Sequence, residues 1–157
     1  MDAYRTALII VHVLSAIIGI GATFTFGVIG SVQGRIQGPG ALALLEADEA
    51  IQKRLVYPFA LGLLPLSGAL MIFARGWRND FWSHQWLWGA IVLYVIAAGL
   101  STSLLGPGVR KLIALGREGQ AGSPEFLKLV RVQQTIGPVT SIIAIVIVVL
   151  MVWKPGG

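Results

Sequence analysis

Four stretches of the chain run for 20 residues or more without Lys, Arg, Asp or Glu: Thr6 to Gly34, Leu55 to Ala74, Phe81 to Val109, and Val132 to Trp153. An α-helix rises about 1.5 Å per residue and the hydrocarbon core of a bilayer is about 30 Å thick, so about 20 apolar residues suffice to cross it. The pattern predicts four transmembrane helices, over approximately residues 6–29, 56–74, 86–105 and 134–153. The expected fold class is all-α: a polytopic four-helix membrane bundle with short interfacial helices, forming one membrane domain over residues 1–157. An even number of spans places both termini on one side.

The connections carry a weaker pattern. Gly38-Pro39-Gly40 reads as the end of the first helical region, after which Leu44, Leu45, Asp48, Ile51, Gln52 and Leu55 recur at helical spacing. Gly106-Pro107-Gly108 repeats that punctuation after the third span, and Val109, Leu112 and Ile113 beside Arg110 and Lys111 read as a short interfacial helix. Ser123-Pro124 has the form of an N-cap and first helical residue, so the last helix is expected to start before it enters lipid. Pro58, Pro65 and Pro138 each remove a backbone donor and are expected to bend or open their helices, leaving carbonyls that must face protein or water.

Composition agrees with a lipid setting. Apolar residues make up 55% of the 157, more than a soluble surface tolerates. The formal charge of +5 arises from basic residues that flank apolar spans, which points to lipid headgroups and away from nucleic acid. The connections 30–55 and 106–131 hold Arg35, Lys53, Arg54, Arg110, Lys111, Arg117, Lys128 and Arg131, against Arg5, Arg75, Arg78 and Lys154 on the other side. The positive-inside rule then places both connections in the cytoplasm and both termini outside. Trp77, Trp82, Trp86, Trp88 and Trp153 gather at the terminal side, where an aromatic belt is expected. With no cysteine, disulfides and thiolate metal sites are excluded.

Candidate chemistry is sparse. His12 lies inside the first span, followed at helical spacing by Ser15, Gly19, Thr23, Gly27 and Gly30. It reads either as a histidine hydrogen-bonded across the bundle or as a ligand for haem b or a metal. Met71 is a depth match on the second helix, and His84 starts the third span; either is a candidate second axial ligand. His12 and Met71 are also the candidates for a copper site. Arg5, Arg75 or Arg78 would then be placed for haem propionates, whereas Arg54 and Arg131 read as headgroup arginines beside Tyr57 and Gln133-Gln134-Thr135. Gly19, Gly27, Gly30, Gly34, Gly68 and Gly99 are candidate positions for close helix packing. All seven carboxylates fall in loops or near interfaces, so no buried Ser/His/acid set for hydrolysis is expected.

The stretch from Leu8 to Gly21, LIIVHVLSAIIGIG, resembles the opening helix of uncharacterised bacterial four-helix membrane proteins, and distantly that of copper-resistance D-type and HemJ-type proteins. The resemblance implies a bacterial inner (cytoplasmic) membrane, makes His12 the counterpart of a haem ligand, and implies haem or porphyrin chemistry. HemJ-type proteins also use a lysine inside a later helix, and none lies between Phe81 and Val109 here. The leading expectation is therefore a non-enzymatic membrane component that supports a protein assembly, in contact with lipid and with another membrane protein or further copies of itself. A b-type haem redox protein centred on His12 stands second, and a small-solute or metal transporter third.

Overall fold

A computed structural model describes residues 3–33, 39–76 and 81–155. Most of these are helical, with no strand among the described residues. Helix α1 spans Ala3–Gln33. The second long helix is continuous in three parts: α2, Pro39–Ile51; a π-helical segment, Gln52–Leu63; and α3, Leu64–Arg75. Gly76 ends it, with φ 74° in the left-handed region that a side chain disfavours. A 3-10 turn at Phe81–Ser83 leads into α4, Gln85–Leu100, which passes through a second π segment, Ser101–Leu105, into α5, Gly106–Arg117. Helix α6, Pro124–Trp153, completes the chain. Its first turn is closed by the Ser123 hydroxyl, which accepts from the Phe126 amide at 3.1 Å, as the sequence anticipates.

Gly106-Pro107-Gly108 behaves differently from its sequence reading as a break. The helix runs through it, because the residues before it adopt the wider π turn, in which Gly106 N–H bonds Ser101 O, and Pro107 then occupies the first turn of α5 where no N–H is needed. Pro39 and Gly40 likewise start α2. Pro58 sits within the first π segment, and Pro65 within the first turn of α3. Helix α6 continues as α-helix through Pro138.

The apolar helices covering Gly40–Ala74, Gln85–Arg117 and Pro124–Trp153 have 35, 33 and 30 residues. At about 1.5 Å per residue they are about 45 to 52 Å long, so each overruns the hydrocarbon by about 15 to 20 Å. Counting about 20 residues back from Ala74 puts the membrane boundary near residue 55. On that count α2, α5 and the start of α6 fall beyond it, and they pack together as an extramembrane layer.

That layer has a core of its own. Leu45, Val109, Leu112 and Ile113 are buried together, with Leu42, Phe126, Leu129 and Val130 against them. Arg117 reaches Glu46 at 2.7 Å and Lys111 pairs with Glu125, linking α5 to both neighbours. The ion pairs are exposed and contribute little; burial of the apolar cluster in water is what holds the layer.

Within lipid, association depends on close backbone approach. Helix α1 packs on the second long helix and on α6, and α4 packs on α6. Along the second long helix the buried positions are Asp48, Gln52, Val56, Ala60 and Leu64, then Ser67. On α1 they include Ser15, Gly19, Ala22 and Thr23, and Ala22, Val56 and Ala60 form one cluster. Gly19 meets Ala60 so tightly that a Cβ would fall on the Ala60 backbone nitrogen and, at 2.8 Å, on its Cα. Beside Gly99 there is open space. The surroundings of Gly27 and Gly30, and Gly34 as a whole, lie outside what the structure describes.

Gly19→Ala is expected to destabilise the bundle by about 2 kcal/mol or more, since backbone cannot move aside as a flexible side chain does. Gly99→Ala is expected to be neutral or stabilising by up to about 1 kcal/mol. Thermal unfolding of both variants in the same detergent checks the pair, and equal losses would refute the assignment of Gly19 as the contact.

Candidate functional site

His12 faces α3. Its Nδ1 lies 3.1 Å from Leu64 O and 3.1 Å from Ser67 Oγ. A carbonyl only accepts, so Nδ1 carries the proton and donates to both atoms, leaving the lone pair of the neutral ring on Nε2. The Ser67 hydroxyl is free to accept because its own proton goes to Leu63 O at 2.6 Å. Gly68 makes room for the ring: a Cβ there would stand 3.2 Å from His12 Cε1. The imidazole is thus a tie between α1 and α3, with its second nitrogen directed elsewhere.

Met71 lies one turn beyond Gly68 on the face of α3 shared by Leu64 and Ser67, as the spacing 64, 67, 68, 71 requires. His84 is the N-cap of α4 and engages Ser83 Oγ at 3.2 Å and the Trp86 ring, edge to face, at 6.3 Å. His12 bonds to α3, whereas the described contacts of His84 are with Ser83 and Trp86. Among the described residues no group of three or more His, Cys, Asp or Glu converges as a metal site. Trp82 and Trp153 are 79% and 75% exposed, as a belt requires, but Trp86 is buried beneath Lys154, whose Nζ stands 5.6 Å from the ring centroid. Trp86 thus departs from the belt reading: it faces the bundle, where the cation sits over its ring. Trp77 and Arg78 lie outside the described residues, as does the side chain of Arg75.

One contact between helices was invisible in the sequence. In the first π segment each N–H bonds the carbonyl five residues back, as Leu64 N–H does to Phe59 O. The next donor in that register would be residue 65, a proline, so Ala60 O has none. Tyr94 from α4 supplies it, its hydroxyl donating to Ala60 O at 3.0 Å. Pro65 and Tyr94 are therefore two halves of one arrangement: the proline frees a carbonyl at membrane depth and the phenol of another span takes it.

A second polar group closes the end of the bundle at the extramembrane layer. Asp48, one of the seven carboxylates the sequence places in loops or near interfaces, is only 5% exposed. Its place on the buried stripe of α2 puts it under α5. The Gln52 side chain donates to it, yet Oδ1 has no hydrogen-bond partner among the described residues. Burial pushes its carboxyl up to about 7, against the smaller opposing effect of the Gln52 bond. Gly106 is pressed onto the same spot: a Cβ there would lie 2.6 Å from the Tyr57 hydroxyl oxygen and 3.4 Å from Gln52 Oε1. Gln133 of α6 donates to Leu105 O at 3.0 Å and lies against Gly108, where a Cβ would collide with its amide. Tyr57 and Gln133 thus serve the seam between helices, while Arg54 and Arg131 remain exposed.

These features define a polytopic all-α membrane protein with a polar tie inside the lipid and a packed layer on one side of it. The chain belongs to the family described as predicted integral membrane protein (DUF2269), whose model matches residues 6–155. No curated protein and no solved structure matches it.

Tyr94→Phe strands Ala60 O in lipid and is expected to cost about 1 to 3 kcal/mol. Pro65→Ala restores an N–H that can reach the same carbonyl, so the Tyr94→Phe loss should shrink by half or more in that background. A double-mutant cycle in thermal unfolding measures this, and strictly additive losses would mean that the two residues serve different groups.

Proposed function

We propose that this protein is a non-enzymatic integral membrane component whose working part is the extramembrane layer of α2, α5 and the start of α6, which docks another protein of the same membrane. The observation that carries this reading is the overrun of three long helices into a packed, ion-paired layer with its own apolar core. A chain that only had to sit in lipid needs about 20 residues per span. The additional turns, locked against each other in water, give a rigid surface of the kind a partner protein can recognise. Three of the four lysines, Lys53, Lys111 and Lys128, are exposed on this layer or at its base. Positive-inside bias supports placing it in the cytoplasm.

A second reading has one feature behind it. Histidines that bind metal through Nε2 regularly donate Nδ1–H to a carbonyl, as His12 does to Leu64. The resemblance of Leu8–Gly21 to HemJ-type proteins supports the same residue. Because α1 and α3 touch at Gly68, a macrocycle has no room between them at that level, and Met71, on the same face as Gly68, is poorly set to oppose His12 across one. A haem here would rest on His12 as its single protein ligand.

Amine-reactive cross-linking in native membranes, followed by mild detergent extraction and peptide mass spectrometry, separates the readings. Cross-links to one recurring membrane protein through Lys53, Lys111 or Lys128, in a colourless preparation, are expected. A chain that extracts alone without cross-links from those lysines overturns the assembly reading. A stoichiometric Soret band that is lost in His12→Ala establishes the haem reading in its place.

A further inference from the structure

We propose that Asp48 is a proton-binding site whose occupancy decides whether α5 stays seated on α2 and the first π segment. This goes beyond the docking role, since it concerns what holds the layer closed and not what binds to it.

The geometry carries the argument. Asp48 lies under α5 at the junction of α2 with the first π segment, and Gly106, which caps the second π segment, lies on the other side of the same junction. Both irregular segments, of a type that recurs at functional sites, therefore meet at one seam. Gln52 is shared across it, with its amide nitrogen on the Asp48 carboxyl and its amide oxygen facing Gly106 beside the Tyr57 hydroxyl. One donor and an orphaned Oδ1 are adequate for a neutral carboxyl and inadequate for a buried carboxylate.

Among the described residues no cation is set against it. On α2 itself, Glu46 and Glu49 are paired with Arg117 and Lys53. On the π segment, Lys53 is so engaged, Arg54 is exposed and Tyr57 faces Gly106. On α5, Arg110 donates to Gly106 O, Lys111 pairs with Glu125, and Arg117 with Glu46. On α6, Lys128 and Arg131 are exposed, and α1 places no charged residue near this end within Ala3–Gln33. With the described cations so placed, a proton, or rehydration by opening the seam, relieves the charge.

The direction follows from linkage. With the layer closed the carboxyl titrates near 7, and in the open layer near the ordinary 3.8. Closure is therefore strongest below pH 3.8 and weakens as pH rises towards 7, beyond which it is constant. Between pH 5.5 and 8.5 the ratio of open to closed layer should rise about thirtyfold on these values.

The chain has no cysteine, so two can be placed at will. Ala43→Cys and Ala114→Cys, both on exposed faces of the layer, would carry spin labels in the full-length protein in lipid nanodiscs. Pulsed electron resonance distances at pH 5.5 and 8.5 are expected to show a second, longer and broader component that grows with pH. Asp48→Asn should keep the acid distribution at both pH values, while Glu118→Gln, an exposed control, should behave as the parent. An unchanged distribution in the parent, or an Asp48→Asn variant that still responds like it, overturns the proposal. If Asp48→Asn does not fold, infrared spectra of the unlabelled parent decide: a protonated-carboxyl C=O band present at pH 5.5 and lost by 8.5 is required, and its absence at pH 5.5 overturns the proposal.

Discussion

A backbone carbonyl in hydrocarbon must find a donor, and Ala60 bears that requirement for three helices at once. Its oxygen loses the π-register partner to Pro65 and takes the Tyr94 hydroxyl of α4. Its nitrogen and Cα form the surface on which Gly19 of α1 rests. The pull across lipid from apolar burial is weak because lipid tails are as apolar as the side chains, so bare backbone contacts and a few hydrogen bonds set the register of the bundle. His12 adds a second such point one turn along, where Gly68 lets the imidazole reach Leu64 O.

The π segment makes these meetings possible. From Asp48 to Leu64 the buried residues recur strictly every fourth position. In an ideal α-helix four residues turn about 400°, so each step drifts about 40° and four steps would carry the stripe nearly to the opposite face. Bonds to the fifth residue back widen the turn and so oppose that drift. One face of the helix can then hold Asp48 against α5 beyond the membrane and Ala60 against Gly19 within it. Pro58 and Pro65 fit this arrangement because each lacks the donor that would favour the tighter register.

The membrane class and the number of spans were legible because absence of charge over 20 residues is a strong constraint. The ends of the helices were not. Gly-Pro-Gly is a stop signal in water, yet after a π turn Gly106-Pro107-Gly108 begins a new helical register without a break. Asp48 was visible in the spacing with Leu45 and Gln52, which places it on the apolar face of α2, but its charge argued for solvent; only the packing of α5 over that face shows it buried. Tyr94 gave no signal at all, since its role depends on how α4 is rotated against the second helix, and α4 is apolar all round. Trp86 misled for a related reason: a tryptophan at an interface can turn to lipid or inward, and here it is turned inward, with Lys154 over its ring and His84 edge to face beside it.

The two polar sites differ in what surrounds them, and that difference sorts their roles. His12 lies within the span, where its Nδ1 is already committed to α3. Asp48 lies past the boundary near residue 55, under a layer held by apolar burial in water and therefore able to open without exposing backbone to lipid. The bundle in the membrane is fixed by contacts that have no graded alternative, since a stranded carbonyl or a glycine collision is costly in any intermediate position. The layer outside it is held by ordinary hydrophobic packing around one strained carboxyl, and it is the part of this protein whose closure solution conditions can reach.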